Sequence, residues 1–215
     1  VEFLYTTLLS NGAEILGILG IGILAILILW FKIKITSFLR STLLQDQVEN
    51  DMSIRDDLAS VRTKMSSDRS YVYMFHNGDH YTNGNSILKM SCTHESARPG
   101  VTKEGDHAQS ILVSTVSEAV EGLVESFKNS DFITFTRIQD LQPCFYRSAM
   151  EAQGVTAVAK YPLYKDNNII GFVGVDFMRS KVDTDKLHFL KECAPGLEYL
   201  VNKTNKRSLL SFFRR

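Results

Sequence analysis

The chain has 215 residues, and its 24 Lys and Arg balance its 24 Asp and Glu, giving a formal net charge of +0 at pH 7. That balance excludes a strongly basic nucleic-acid binder. Three cysteines, Cys92, Cys144 and Cys193, close at most one intramolecular disulfide, which excludes a disulfide-dense secreted scaffold and suits a reducing compartment.

Residues 15–31, ILGILGIGILAILILWF, contain no charged side chain. As a helix this run rises about 26 Å, close to the ~30 Å hydrocarbon core of a bilayer; started at Gly12 it reaches about twenty residues. Trp30 stands where an interfacial aromatic belongs, and Lys32 and Lys34 can snorkel to phosphates. A signal peptide would carry basic residues before the run and a cleavage site after it, whereas Glu2 and Glu14 come before and Trp30-Phe31-Lys32-Ile33-Lys34 comes at its end. The expectation is a lead-in and single transmembrane anchor over residues 1–34. Lys32, Lys34 and Arg40 follow the run and no Lys or Arg precedes it, so the charge bias puts the N-terminus outside and the C-terminal domain in the cytoplasm. Ala13, Gly17, Gly20 and Gly22 would let such helices approach closely and form a homo-oligomer in the bilayer.

Residues 35–69 are polar and free of Gly and Pro, as a juxtamembrane linker helix would be. Ile54, Leu58, Val61 and Met65 form a heptad-like seam. The seam fits a coiled coil between protomers or an amphipathic helix lying on its own domain.

Residues 70–202 alternate strand and helix signals, and the fold class expected is α+β. Residues 71–75 read as a strand ended by His76-Asn77-Gly78, and residues 87–93 as a second strand. Residues 96–110 read as a surface loop, 115–127 as a helix, 132–136 as a strand, and 145–153 as a short helix ended by Gly154. Residues 155–164 and 169–177 form the clearest hairpin, turning at Lys165-Asp166-Asn167-Asn168. Asp183 or Thr184 caps a last helix that Pro195 kinks or interrupts. The tail, residues 203–215, sets Arg207, Arg214 and Arg215 beside Phe212 and Phe213, a pattern suited to an anionic membrane surface.

The loop His76, Asn77, Gly78, Asp79, His80, Tyr81, together with Lys89, Cys92 and His94, is the candidate ligand or partner site. Gly78 and the nearby Gly84 permit close backbone approach, and the loop's side chains offer varied donors and acceptors. A zinc set of His76, His80, Cys92 and His94 can be drawn, with Cys92 and His94 on one strand face. No paired-cysteine or helical His-Glu-x-x-His pattern supports it, so no metal and no cofactor are expected. Cys92 with His94 and Glu95 suggests a thiol and base, but strand alternation separates Glu95 from His94; no catalytic residue and no enzymatic activity are expected.

Two resemblances rest on specific residues. Pro162-Leu163, a short polar turn, and Ile170-Gly171-Phe172-Val173-Gly174-Val175 resemble the terminal hairpin of GAF-type domains, relatives of PAS domains. That resemblance implies a GAF-like antiparallel sheet flanked by helices, with the first and last helices on one face and loops roofing a small-molecule pocket. Residues 68–75, 161–177 and 185–194 resemble parts of the single-span holins of T-even phages. Those holins carry basic residues before the anchor and a periplasmic domain, the reverse of the charge pattern here. They also join a late-strand cysteine to one in the last helix; Cys193 matches the second, but Lys160 or Tyr161 stands at the first.

The function expected is therefore a phage-type single-pass protein of the host inner membrane. It self-associates in a holin-like or complex-assembling role, with the lipid bilayer, its own copies, and a regulatory protein or small ligand as partners, and no nucleic acid. The alternative is a membrane-tethered cytoplasmic GAF-like sensor of a small ligand.

Overall fold

The computed structural model describes residues 2–128 and 133–203, with side chains described from residue 20 onward except those of residues 36–43 and 124–128. The chain divides into two compact units, residues 1–48 with 205–215, and residues 49–204. Helix α1 (Glu2–Lys64) contributes to both.

In the first unit the described apolar side chains, from Ile21 to Ile33, are exposed. Among the described residues no helix is long and apolar enough to cross a membrane. The single-pass anchor is thus not supported, and with it go the bilayer as partner, the inner-membrane placement and the outside N-terminus. A Cβ at Gly20 or Gly22 would meet nothing within 4 Å in this chain, and Ala13 and Gly17 lie outside the described side chains. Lys34 Nζ lies 5.6 Å from the centre of the Trp30 ring, a cation–π contact within the chain. Lys32 follows Trp30 by two residues on the same helix. Arg207, Phe212, Phe213, Arg214 and Arg215 fall outside the described residues.

The second unit is built on six antiparallel strands in the order β3-β2-β1-β6-β5-β4: β1 (Arg69–His80), β2 (Ser86–Ala97), β3 (Ile111–Leu112), β4 (Thr134–Arg137), β5 (Ala157–Lys165) and β6 (Asn168–Phe177). Helices α2 (Ser117–Lys128), α3 (Phe145–Ala152) and α4 (His188–Asn202) complete it. Period-two alternation gives the sheet two apolar faces. One packs Val72, Ala159, Leu163, Val173, Val175 and Phe177 against Ile54, Leu58, Val61 and Met65 of α1 and Leu190, Ala194 and Leu197 of α4. The seam on α1 is therefore core of its own domain, with Leu58 fully buried. The other face carries Tyr71, Tyr73, Met90, Cys92 and Phe172 against Val116, Ala119, Leu123 and Tyr146.

The β5–β6 hairpin turns through Asp166 (φ 48°) and Asn167 (φ 64°), both left-handed as a type I′ turn requires. β1 does not stop at His76; it runs on to His80, and β2 to Ala97, because the two pair along almost their whole length. The Asp183 side chain accepts from the Asp185 N–H and caps a single 3-10 turn, and α4 then continues through Pro195 to Asn202.

A buried polar pocket between the sheet and its helical roof

The face of the sheet opposite α1 and α4 contains ionisable groups that an apolar core would exclude. They come from strand positions whose neighbours point to the other side: Arg69, Tyr71 and Tyr73 on β1, Lys160 on β5, and Asp176 on β6, where Phe172 and Gly174 share the same face. Tyr71 lies directly across from Gly174, and Arg69 from Asp176. Arg69 is 1% exposed and donates through Nε at 2.8 Å, and through Nη2, to Asp176 Oδ2. Its Nη2 also reaches Gln153 Oε1 at 2.9 Å and Glu104 Oε1 at 3.3 Å, while Nη1 donates to the Thr102 carbonyl at 3.2 Å. Burial works against the Arg69 cation, but Asp176 and Glu104 outweigh it and hold its pKa above the ordinary value.

Tyrosines complete the cluster. Tyr71 Oη donates to Asp176 Oδ1 at 2.8 Å and Tyr73 Oη to Glu104 Oε2 at 3.1 Å. Burial raises the pKa of both phenols, so they stay protonated donors. The rings of Tyr73 and Phe172 stack with centroids 5.2 Å apart, and Tyr71 meets Tyr73 edge-on at 5.4 Å. Glu95 accepts the backbone N–H groups of Glu104 and Gly105, which fixes the loop that carries Glu104.

Lys160 is the least expected member, at 4% exposure. Its Nζ donates to the Ala119 carbonyl at 2.7 Å and to Tyr146 Oη at 2.9 Å. The same nitrogen lies 4.7 Å from the Tyr146 ring centre and 5.4 Å from that of Phe172. Burial pushes the Lys160 pKa down from 10.5 to about 8, with Asp176 and Glu104 opposing the shift. The groups surround a small cavity of about 30 Å³, lined by Tyr71, Tyr73, Glu104, Tyr146, Lys160 and Phe172 among others.

The residues singled out in the sequence are only partly brought together. Cys92 lies in this apolar cluster, and burial pushes its thiol up to about 12, so it is no ready nucleophile. His94 is on the other face. The register slips between Val72, which pairs with His94, and Tyr73, which pairs with Cys92, so a bulge at Thr93 breaks the alternation that would have put Cys92 and His94 together. His94 Nε2 instead meets Asp51 Oδ1 of α1 at 3.1 Å. His76 bonds Ser91 Oγ at 2.9 Å. Asn77, Gly78, Asp79, His80 and Tyr81 are exposed at the far end of β1, where the Lys89 stem lies over Gly78. Among the described residues no group of three or more His, Cys, Asp or Glu could hold a metal ion. The three cysteines are free, Cys193 lying on α4 and Lys160 on the pocket face, so the pairing implied by the holin resemblance has no counterpart.

Sequence reasoning missed Arg69, Glu104, Tyr146, Lys160 and Asp176. A signal was present for two of them: Lys160 interrupts the apolar strand VTAVAKYPL, and Asp176 interrupts FVGVDF.

No family model matches the sequence, and no curated protein matches it. Solved structures do. The GAF domain of PixJ from Thermosynechococcus elongatus, in its blue-light-absorbing form, matches at TM-score 0.54 and 17% identity over 80% of this chain and 97% of that one. A red/green cyanobacteriochrome in its red-light-absorbing state matches at TM-score 0.54 and 15% identity over 75% and 97%. The photoproduct state of a third GAF domain, from Synechocystis, matches at 0.53 and 16% over 77% and 99%. At these identities the likeness establishes the fold: an α+β GAF-like domain. It also corrects the phage and holin-like reading, since these three structures are a GAF domain of PixJ, a cyanobacteriochrome and a further GAF domain.

Proposed function

We propose that this domain is a non-catalytic sensory module that takes a small polar ligand into the pocket between the sheet and helices α2 and α3. The observation that carries the reading is Lys160: a lysine held at 4% exposure among aromatic rings, beside a buried Arg69–Asp176 pair. Burying such charges costs several kcal/mol that an apolar residue of the same volume would not, so their retention favours a binding role. Three tyrosines and a lysine also present hydrogen-bonding groups to one small space, the usual make-up of a ligand site.

The cavity of about 30 Å³ has room for roughly one water, whereas ligand pockets run to hundreds of Å³. Ligand entry therefore parts α2 and α3 from the sheet, breaking the Lys160 bonds to Ala119 of α2 and Tyr146 of α3. That coupling turns occupancy into a movement of the roof, because the ligand favours the open arrangement only by its extra contacts there. The fold shared with light receptors supports a sensory role.

A thermal-shift screen of small carboxylates, nucleobases and heterocycles on the full chain tests the proposal. Stabilisation by a ligand in wild type that is lost in Lys160→Met and Tyr146→Phe supports it. Stabilisation that survives both substitutions, or none across the screen, contradicts it.

A further inference from the structure

A second concavity, of about 760 Å³, lies at the end of the sheet where β1 begins and β2 and β6 end. Arg62 from the last turn of α1, Arg98 from the loop after β2, and Lys181 and Lys186 from the segment after β6 line it. Asp183 is the one carboxylate among its described lining residues. It is engaged, accepting the Asp185 N–H and lying 3.4 Å from Lys186 Nζ.

The floor is preorganised by Asp68. This buried carboxylate accepts the N–H groups of Met178, Arg179 and Ser180 through Oδ2 and the Arg98 guanidinium through Oδ1 at 3.1 Å. The Arg98 N–H in turn donates to the Asp68 carbonyl at 2.9 Å, and Arg98 Nη1 reaches Ser180 Oγ at 2.9 Å. Arg62 is steadied by Nε donating to Ser96 Oγ at 3.3 Å. Two guanidiniums are thus set in place, Arg62 by a hydroxyl and Arg98 by a carboxylate and a hydroxyl; the bonds to these partners use only Nε of Arg62 and Nη1 of Arg98, and a guanidinium fork suits phosphate oxygens. The Arg98 side chain is 50% exposed and Lys181 is exposed. Four cations from three segments line the cleft, and two carboxylates answer them, Asp68 beneath Arg98 and Asp183 beside Lys186, which leaves a local excess of positive charge in a chain with no net charge.

We propose that this cleft is a binding site for a small phosphorylated molecule carrying two or more negative charges. Its volume is that of a small-molecule site, and Arg62 and Arg98 would grip the phosphates while Lys181 and Lys186 supply screening charge from the rim. The site shares no lining residue with the pocket around Lys160, so either reading can fail without the other.

The test is isothermal titration of the full chain with inorganic pyrophosphate, ADP and sulfate in low-salt buffer. Saturable pyrophosphate binding is expected, weakened at least fivefold in Lys181→Gln/Lys186→Gln and further in Arg62→Gln, with the unliganded lysine double variant melting close to wild type because Lys181 is exposed and the Lys186–Asp183 pair is a solvent-screened one. Tighter binding of ADP than of pyrophosphate assigns the rest of the cleft to a nucleoside, and equal binding assigns recognition to the phosphates alone; both support the site. No saturable binding, binding equal for sulfate and pyrophosphate, or binding unaltered in the lysine double variant overturns it.

Discussion

Lys160 Nζ lies 2.9 Å from the phenolic oxygen of Tyr146, so one hydrogen bond ties the middle of strand β5 to helix α3 across the pocket. The ammonium is nearly inaccessible, and burial pushes its pKa down to about 8. A lysine whose folded pKa is depressed makes the fold lose stability as pH falls through the interval between its unfolded and folded values, because the unfolded chain takes up the proton first. Stability should therefore rise between about pH 8 and pH 10, and then fall as the buried tyrosines resist the ionisation that unfolding permits. Urea unfolding at stepped pH checks this. Lys160→Met should flatten the rise and leave the fall above pH 10 in place.

The buried Arg69–Asp176 pair should behave as a unit. Asp176→Ala leaves a guanidinium at 1% exposure without its main partner, and the expected loss is about 3–5 kcal/mol. Replacing both residues, as Arg69→Met/Asp176→Leu, should recover most of that loss in equilibrium unfolding while abolishing any ligand response of the pocket.

Gly174 is required by its cross-strand neighbour. The Tyr71 ring lies over it, and a Cβ there would overlap the phenol. Gly174→Ala should cost about 1–3 kcal/mol, since Tyr71 cannot move without breaking its bond to Asp176. Gly84 offers the contrasting control: its φ is +83° but nothing lies near its Cβ, so Gly84→Ala carries only the backbone penalty, about 1 kcal/mol.

The thiols should sort by environment. Burial pushes Cys92 and Cys193 up to about 12, so both are protonated at pH 8, while Cys144 is half-buried at the start of α3 with its sulfur accepting the Arg147 N–H. A thiol reagent at pH 8 should label Cys144 first, and Cys92 and Cys193 only on the timescale of unfolding. Rapid labelling of Cys92 would show that the pocket opens without ligand.

Much of the domain was legible because its signals are local. Alternation, the Asp166-Asn167 turn and the Gly154 stop mark the hairpin and the helix before it, and the seam Ile54, Leu58, Val61, Met65 marks a buried helix face. What was not legible depends on register. The slip at Thr93 moves Cys92 and His94 to opposite faces, and no residue pattern around it announces a bulge. The pocket is likewise assembled from positions far apart in the chain: Arg69 meets Asp176 only because β1 pairs with β6, and Lys160 meets Tyr146 only because α3 lies over β5. The uncharged run at residues 15–31 is the opposite case, a strong local signal for an anchor that the described residues do not support.

Hydrogen–deuterium exchange of the full chain, with and without the strongest stabilising ligand from the thermal screen, addresses the pocket most directly. If the ligand sits beneath the helical roof, the amides whose exchange changes should be those of α2 (Ser117–Lys128), α3 (Phe145–Ala152) and the central residues of β5 and β6, with the change lost in Lys160→Met. Changes confined to the exposed tip of β1 and β2, residues 76–89, would contradict a pocket at Lys160 and place the ligand on the loop instead.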